Sequence, residues 1–427
     1  MRSGLLLRRR TLAELQSTRF GVDGSTDDDA RRTAAEIVAE VRRGGETALR
    51  ALSERFGDRR PDQPLILERR ELERHRDRLS GEQRALLERA AQRIERFARA
   101  QRAALTDVEI LVPGGRAGHR VLPVERVGGY VPGGRYPLPS SALMSAIPAR
   151  VAGVSEIWLS GPRPSPATLA AAAIAGADGF LQVGGAQAIA ALAYGAGAVP
   201  RCDVVVGPGN RWVAAAKRLV SGDVGIDSIA GPSEVVVVAD SSSDPELVAA
   251  DLLAQAEHDV VARPILITWD SALLERVEAA LWARLEDLPT ADTARAALGC
   301  GGVLHCATPE AAIAACDALA PEHLQLSLPA ARELAPRFRC YGALFVGEGS
   351  AEVLGDYGAG PNHTLPTGGS ARHASGLSVL HFLTVRTWLE IDDRGAAQAL
   401  LQDTATFARL EGLEGHARAA EARRDRR

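Results

Sequence analysis

The side chains best suited to chemistry are concentrated in the second half of the chain, beginning with Gln255 and His258 in the stretch QAEH. The apolar spacing around them predicts a helix over residues 245–257, continuing to His258. Residues three apart share one helical face, so the two side chains can bind one metal ion. The second histidine of an HExxH zinc motif is absent. An exposed pair without a function therefore stays open as an alternative.

A carboxyl group and an imidazole are adjacent at Glu322 and His323, directly after Pro321. Histidine titrates near neutral pH, and a carboxylate is its usual companion in acid–base catalysis. The alternative is a helix start, with an acidic residue in the first turn where the helix dipole favours it. The pair by itself is equally compatible with both interpretations.

Residues 355–363, GDYGAGPNH, bring Asp356, Asn362 and His363 together in a segment whose glycines and proline predict a loop. Loops that combine such residues are often functional, and we favour function here. Glu411 and His416 lie in the charged tail. A spacing of five does not place them on one narrow helical face, so by themselves they indicate a solvated surface.

Glycine-rich turns follow two predicted strands of the first half, at residues 184–185 and 207–210, and a glycine-rich loop lies at 128–134. Such turns let a dinucleotide backbone approach closely. None matches GxGxxG followed by a distant acidic residue, and there is no P-loop, so the signal for a nucleotide is weak. Ser233 lies directly before a strand, but the GxSxG motif of a nucleophile elbow is absent.

The predicted secondary structure that must position these residues differs between two parts of the chain. Residues 26–105 have helical periodicity, with Gly44 and Gly45 ending a first helix and a second running from Gly81 to about Arg102. From about residue 120, strands, glycine turns and helices alternate, which predicts βαβ units with parallel sheets. Residues 145–151 are predicted as a helix that tolerates Pro148 only in its first turn. The tail from Gln398 is predicted as helices without a core of their own.

Length and composition exclude several classes of protein. The chain has 427 residues, 46% hydrophobic and 24% charged, with a formal net charge of −4. These values are typical of a globular chain of several folding units, and neither the charge nor the 4% aromatic content favours a nucleic-acid partner. No segment has the length and apolarity of a membrane span. Five scattered cysteines without CxxC spacing predict a reduced, cytoplasmic protein. Lys217 is the only lysine.

Taken in order, these segments closely resemble the histidinol dehydrogenase family. The matching stretches run from about residue 20 to 420, and they are VGGYVPGGRYPLPSS, VGGAQAIAALAYG, VGPGNRWVAAAKR, IAGPSEVVVVAD, DLLAQAEHD, APEHLQL, GDYGAGPNHTLPTGGSAR and EGLEGH. The resemblance implies an NAD-dependent enzyme with one Zn²⁺ per subunit. The implied reaction oxidises L-histidinol through L-histidinal to L-histidine, the last steps of histidine biosynthesis.

The resemblance also implies roles for individual residues. The implied zinc ligands are Gln255, His258, Asp356 and His416. The implied NAD contacts are Tyr130, Gln187 and Asn210. The implied substrate contacts are Ser233, Gln255, His258, His323, Asp356, Glu411 and His416, with His363 as a neighbour. His323 is our choice for the base that deprotonates the alcohol, and Glu322 for the group that activates water in the aldehyde step. The implied zinc would bind the substrate's imidazole and amine and fix its position.

The implied fold is α/β, with two Rossmann-like domains of incomplete, mainly parallel sheets, as in aldehyde dehydrogenases, plus small helical terminal parts. We expect an N-terminal segment at 1–25 and a discontinuous domain at 26–125 and 235–375 that holds most zinc and catalytic residues. An NAD-contacting domain is expected at 126–234. The segment 376–427 is expected to reach a partner subunit, so that His416 completes the other site of a homodimer.

Three alternatives stay open at this stage. A paralogous zinc- and NAD-dependent dehydrogenase would act on another small alcohol. A zinc hydrolase would need no nicotinamide, and the nucleotide turns argue against it. A non-catalytic scaffold would be expected to lack a zinc ligand or one of Glu322 and His323, and none is missing. His373 and His381 have no role that we can assign.

Overall fold

The computed structural model describes residues 5–17, 24–60, 62–133 and 137–424, and for residues 24–27 it describes the backbone only. Parts of the N-terminal segment, the end of the 128–134 turn and the last three residues lie outside the described residues. The helices are α1 Leu12–Ser17, α2 Gly24–Phe56, α3 Arg69–Asp77, α4 Gly81–Ala103, α5 Pro139–Ala152, α6 Pro166–Ala175, α7 Gly185–Tyr194, α8 Arg211–Val220, α9 Pro245–Ala256, α10 Ser271–Leu285, α11 Ala291–Cys300, α12 Pro309–Leu319, α13 Ala331–Leu334, α14 Glu352–Asp356, α15 Gln398–Leu410 and α16 Glu414–Glu421.

The strands form three sheets. They are β1 Ile66–Glu68, β2 Val108–Val112, β3 Gly115–Pro123, β4 Arg126–Tyr130, β5 Glu156–Ser160, β6 Gly179–Leu181, β7 Val204–Val206, β8 Gly225–Ile226, β9 Glu234–Ala239, β10 Arg263–Thr268, β11 Gly302–His305, β12 His323–Ser327, β13 Ala343–Val346 and β14 Leu383–Ile391. The first sheet has the order β1-β6-β5-β4-β7-β8 and is parallel except for β1. The second, β11-β10-β9-β12-β13, is wholly parallel. The third, β14-β3-β2, is antiparallel.

The predicted helices of the first hundred residues form, and their caps explain where they begin. Ser80 accepts a hydrogen bond from the Gln83 amide, and the Gln83 side chain accepts one in return, which starts α4 at Gly81. Gly45 has a left-handed φ of 52°. Its backbone is not helical, so the first helical segment of α2 ends at the predicted glycines and a second segment runs from there to Phe56.

The long helices α2 and α4 pack on the helices beside the first sheet, α2 on α7 and α8, and α4 on α5 and α6. Ile37 and Leu49 of α2 join a buried cluster with Leu181 and Val205, and Ile94 of α4 joins one with sheet and helix residues of the same unit. The predicted grouping of residues 26–125 with 235–375 in one domain stays a prediction, and α4 also contacts the second unit, where the Arg93 Nε donates to the Gly358 carbonyl oxygen at 2.6 Å. An amphipathic stripe specifies that a face is buried but not which neighbour buries it.

The N-terminal segment packs on the second sheet. Leu7 and Leu15 are fully buried among apolar residues of that sheet's helices and strands, and Arg9 bridges to Val303 of β11. The Arg263 guanidinium donates to the carbonyl oxygen of Leu15. This segment therefore belongs to the second α/β unit, although residues 24–226 separate the two in sequence.

The third sheet and the two C-terminal helices form an extension with little core. Alanines of α15 and α16 make a small cluster of their own: Ala405, Ala408, Ala417 and Ala420. The predicted helical tail is present. The sequence analysis did not predict the three strands of this sheet. Residue 115 pairs with residue 391, and local sequence patterns do not encode a pairing between such distant residues.

Within the part of the chain that the structure describes, no helix combines the length and the apolarity needed to cross a bilayer.

Candidate active site

Two of the predicted metal-binding side chains, those of His258 and Asp356, face each other at the amino-terminal edge of the second sheet, and Gln255 lies in the last turn of α9, three residues before His258. A crossover helix runs antiparallel to the strands that it connects, so the end of α9 lies at the edge where β9 and β12 begin. The His258 Nε2 and Asp356 Oδ2 atoms are 4.0 Å apart. Gln255 is buried, and neither its Oε1 nor its Nε2 has a hydrogen-bond partner among the described residues. These are donors with the chemistry of a metal ligand set.

His258 lies outside the helix in which the sequence analysis placed it. Helix α9 ends at Ala256, and His258 lies in the following turn, where its N–H donates to the Gln255 carbonyl oxygen at 3.3 Å. The i,i+3 relation is kept by this turn. The His258 side chain stays 42% exposed, so it can be reached from outside the sheet.

Glu322 and His323 start a strand rather than a helix. Helix α12 ends at Leu319, Ala320 has a left-handed φ of 47°, and β12 begins at His323 beside β9. The helix start that the sequence left open as an alternative is therefore not formed, and the strand itself was not predicted. Its pattern HLQLS is short, and both its faces are buried.

The backbone of Glu234 holds both members of the pair. The His323 Nδ1 lies 3.1 Å from the Glu234 carbonyl oxygen, and the Glu234 N–H donates to the Glu322 Oε2 at 2.9 Å. A carbonyl oxygen only accepts, so Nδ1 carries the proton and Nε2 has the lone pair. That Nε2 is 3.9 Å from the Asp356 Oδ1. The basic nitrogen of His323 thus faces the metal-type donors.

Burial sets the protonation of this pair. Desolvation lowers the pKa of His323, which favours the neutral imidazole with a free lone pair. Desolvation raises the pKa of the Glu322 carboxyl well above its usual range, an effect reinforced by the nearby Glu234 and Asp356. The Glu322 Oε2 lies 3.7 Å from the His323 Nδ1, on the ring edge opposite to the one that faces Asp356.

Asp356 ends the short helix α14, and the residues after it form the predicted loop. The His363 Nδ1 donates to the Asp356 carbonyl oxygen at 3.0 Å, and its Nε2 lies 3.4 Å from the Ser141 Oγ. Burial lowers the pKa of His363, so this imidazole is neutral as well. Its contacts orient the Asp356 backbone against α5.

A proline inside α5 makes a second contact with this loop possible. Pro148 lies in the helix interior, not in the first turn as predicted, and it has no N–H for the carbonyl oxygen of Met144. The Asn362 Nδ2 donates to that oxygen at 2.7 Å. The missing helical hydrogen bond is thus replaced by one from the loop that carries Asp356.

Sequence reasoning missed three acidic residues near the site: Glu234, Asp251 and Glu352. Glu234 is buried, accepts from Arg263 at 2.8 Å and from the Gly368 N–H at 3.1 Å. The Glu352 Oε2 lies 4.0 Å from the His323 Nδ1, and burial raises the pKa of Glu352 well above its usual range. Burial raises the pKa of Asp251 to about 6. Only Asp251 had a sequence signal, because it lies one helical turn before Gln255.

The predicted nucleotide contacts lie at the carboxyl edge of the first sheet. Tyr130 ends β4, Gln187 lies in the first turn of α7, and Asn210 caps α8 by accepting from the amides of Trp212 and Val213. The strand order reverses between β4 and β7, where open parallel sheets bind ligands.

Buried hydrogen bonds hold two of these residues, one from a carboxyl group and one from the backbone. Asp58 accepts a hydrogen bond from the Gln187 Nε2 at 2.8 Å, and the Gly185 N–H donates to the Tyr130 hydroxyl at 3.1 Å. Burial raises the pKa of Tyr130 to about 12, and the nearby Asp58 adds to the shift. Tyr130 is therefore a neutral hydrogen-bonding group.

Ser233 directly precedes β9, half-buried beside the pair that Glu234 holds. Glu411 and His416 lie elsewhere. Both are exposed, Glu411 in the turn that follows α15 and His416 in α16, and they line an open depression of about 400 Å³ with Phe407 and Leu413. Neither contacts Gln255, His258 or Asp356 among the described residues. Among all the residues that the structure describes, no three His, Cys, Asp or Glu side chains are grouped closely enough to bind a metal ion.

Two α/β units, with glycine-rich turns on one and a buried histidine on the other, define a protein of the aldehyde-dehydrogenase-like fold class. Betaine aldehyde dehydrogenase from Staphylococcus aureus has this fold, with a TM-score of 0.50 and 11% identity over 89% of this chain and 88% of its own. The family model of histidinol dehydrogenase matches residues 23–424. The chain belongs to the histidinol dehydrogenase family and is an oxidoreductase.

Relatives of this family match along nearly the whole chain. The histidinol dehydrogenase of Thermus thermophilus is 47% identical, covering 96% of this chain and 99% of its own. That of Aromatoleum aromaticum is 45% identical, covering 94% and 93%. The crystal structure of histidinol dehydrogenase from Elizabethkingia anophelis has a TM-score of 0.91 at 31% identity, covering 99% and 98%.

Proposed function

We propose that this protein catalyses the zinc- and NAD-dependent oxidation of L-histidinol through L-histidinal to L-histidine, a four-electron reaction that ends histidine biosynthesis. The observation that carries the proposal is the His323 Nε2, unprotonated and 3.9 Å from Asp356 beside Gln255 and His258. A base is thereby placed next to donors that can hold the substrate and a metal ion. The family name of the relatives supports the choice of substrate.

The donor set fits zinc. A buried amide without partners, an accessible imidazole and a carboxylate supply nitrogen and oxygen ligands. Zinc accepts such ligands and is usually four-coordinate, so one chain leaves a position for a further donor. When bound, zinc would supply a positive charge and a fixed attachment point for the substrate's imidazole and amine.

His323 is proposed as the base of the alcohol step. Its Nδ1–H is engaged by Glu234, so the ring cannot turn without losing a buried hydrogen bond. The Nε2 therefore stays directed at the site and can take the hydroxyl proton while a hydride leaves the adjacent carbon. NAD, when bound, would supply the hydride acceptor.

Glu322 is proposed to activate the water that adds to the aldehyde. Its carboxyl is buried beside His323, which suits a group that must gain and lose a proton near neutral pH. The resulting hydrated aldehyde can lose a second hydride to give the acid. Retention of histidinal between the two oxidations would protect a reactive aldehyde from side reactions.

Tyr130, Gln187 and Asn210 are proposed to contact NAD at the carboxyl edge of the first sheet. That edge faces the proposed zinc site, because Ser141 at the start of α5 contacts His363 of the Asp356 loop. The two α/β units therefore approach each other at the two halves of one site. We assign cofactor binding to the unit of residues 126–234 and most catalytic residues to 235–375.

A homodimer is proposed in which His416 of one chain completes the zinc site of the other, with Glu411 contacting that site's substrate. The extension that carries them exposes apolar side chains. The most exposed are Leu111, Leu389, Phe407 and Leu410, at 85%, 65%, 63% and 80%. Apolar groups concentrated on one extension are typical of an interface between subunits. The five free cysteines suit a reducing compartment, and we propose a cytoplasmic enzyme.

The test is the number of NADH formed per L-histidinol consumed by zinc-loaded protein, with histidine assayed as the product. We expect two NADH per histidinol. One NADH with released aldehyde would contradict the second oxidation, and no turnover would favour another small alcohol as substrate. Glu322→Gln, supplied with histidinal directly, is expected to oxidise it more slowly than the unchanged protein.

A further inference from the structure

The only lysine of the chain is buried beside an aspartate. Lys217 lies in α8 and Asp227 directly follows β8, and both side chains are 2% exposed. The Lys217 Nζ forms an ion pair with the Asp227 Oδ1. Every other basic side chain of this sequence besides its histidines is arginine. Its ammonium group is compact and has three rotatable donors, unlike the planar guanidinium of arginine.

The pair binds both polar groups of one glycine. The Lys217 Nζ donates to the Gly207 carbonyl oxygen at 2.9 Å, and the Gly207 N–H donates to the Asp227 Oδ2 at 2.8 Å. Gly207 directly follows β7 and is the first residue of the turn 207–210. The backbone of this turn is thus fixed at its first residue by two side chains that come from beyond it.

The same glycine is pressed against the end of β4. Gly207 has a left-handed φ of 110°, and a Cβ there would lie 2.2 Å from the Tyr130 carbonyl oxygen. The backbone of Gly207 therefore lies so close to the backbone of Tyr130 that no side chain fits between them. Any rotation of Gly207 would move Asn210 relative to Tyr130, and these are two of the residues proposed to contact NAD.

We propose that Lys217 and Asp227 are positioning residues that hold the Gly207–Asn210 turn in the geometry that NAD requires. This inference rests on the proposed function, because it presumes NAD binding at this edge. A buried ion pair is a weak device for stability, since apolar residues of similar volume often replace one without loss. Here the pair supplies a donor and an acceptor to buried backbone groups. Arginine has a larger, planar head group and cannot donate in the same geometry.

The experiment compares Lys217→Met, Asp227→Asn and the double variant Lys217→Met/Asp227→Val in the zinc-loaded, full-length protein. NAD⁺ affinity is measured by calorimetry, with KM values, kcat, zinc content and thermal unfolding measured alongside. We expect each variant to bind NAD⁺ about tenfold more weakly or worse, with KM for histidinol and zinc content unchanged. Arg218→Met changes an exposed cation at the neighbouring position and should leave all these values as they are.

The double variant separates positioning from stability. It leaves no charge buried alone, so it should unfold at a higher temperature than either single variant while binding NAD⁺ as weakly. Recovery of NAD⁺ affinity together with stability would overturn the inference, as would unchanged affinity in any folded variant. Failure of the unchanged protein to bind NAD⁺ would overturn the proposed function, and the inference with it.

Discussion

His323 depends on its surroundings for its chemistry. The sequence places an imidazole next to a carboxyl group, but a free imidazole can carry its proton on either nitrogen. The Glu234 carbonyl oxygen selects Nδ1 at 3.1 Å, and burial lowers the pKa so that the ring is neutral. Together these two effects make Nε2 a base directed at Asp356. The identity of the residue was predictable, whereas its tautomer and direction were not.

The substitution His323→Asn tests whether this imidazole is the base of the alcohol step. Asparagine is smaller and can retain a hydrogen bond to Glu234, but it has no basic nitrogen. We expect kcat for histidinol to fall by about 10²–10⁴-fold, the usual contribution of a general base. Zinc content, measured by atomic absorption, should be unchanged because His323 is not among the proposed ligands. Loss of zinc would instead assign His323 to the metal.

Helix α5 lacks one backbone hydrogen bond, and a residue of the Asp356 loop bonds the carbonyl oxygen that this leaves free. Pro148 in its interior removes an N–H and leaves the buried Met144 carbonyl oxygen without its helical partner. Asn362 supplies the replacement donor. Sequence rules treat an interior proline as unfavourable because they assume that the freed carbonyl has no other partner. The partner here lies more than two hundred residues later, in the loop that carries Asp356.

A double-mutant cycle tests this contact. Asn362→Ala leaves the Met144 oxygen buried and unpaired, which should lower the free energy of unfolding by about 1–3 kcal/mol. Adding Pro148→Ala restores a helical N–H for that oxygen and should recover part of the loss. Unfolding in urea gives the free energies of all four proteins. Purely additive effects of the two changes would contradict the proposed substitution of one donor for another.

The whole molecule brings opposite edges of two sheets together. The carboxyl edge of the first sheet carries the nucleotide-type turns, and the amino edge of the second carries Glu322, His323 and the metal-type donors. Gln255, His258 and Asp356, three of the four predicted zinc ligands, belong to the second unit. His416 lies on an extension whose apolar side chains are exposed, and we propose that a second chain contributes it.

Mixing two inactive variants tests this arrangement. His416→Asn and Asp356→Asn should each be inactive alone. If His416 crosses to the partner, a mixed dimer has one complete site, and equal mixing with free exchange should restore about a quarter of the unchanged activity. Each variant refolded by itself is the control. Absence of any recovery, with mixed dimers verified by mass spectrometry, would place His416 in its own subunit's site.

The sequence by itself determined which donors the chain has, their order, and most helices. Helical periodicity and caps are local, so the predictions for α4 and the C-terminal helices are confirmed. Only the tertiary structure decided that His323 begins a strand, that His258 lies beyond its helix, and that Asn362 pairs with Met144. Strand pairing and packing join residues such as 235 and 323, whose partnership no local pattern encodes.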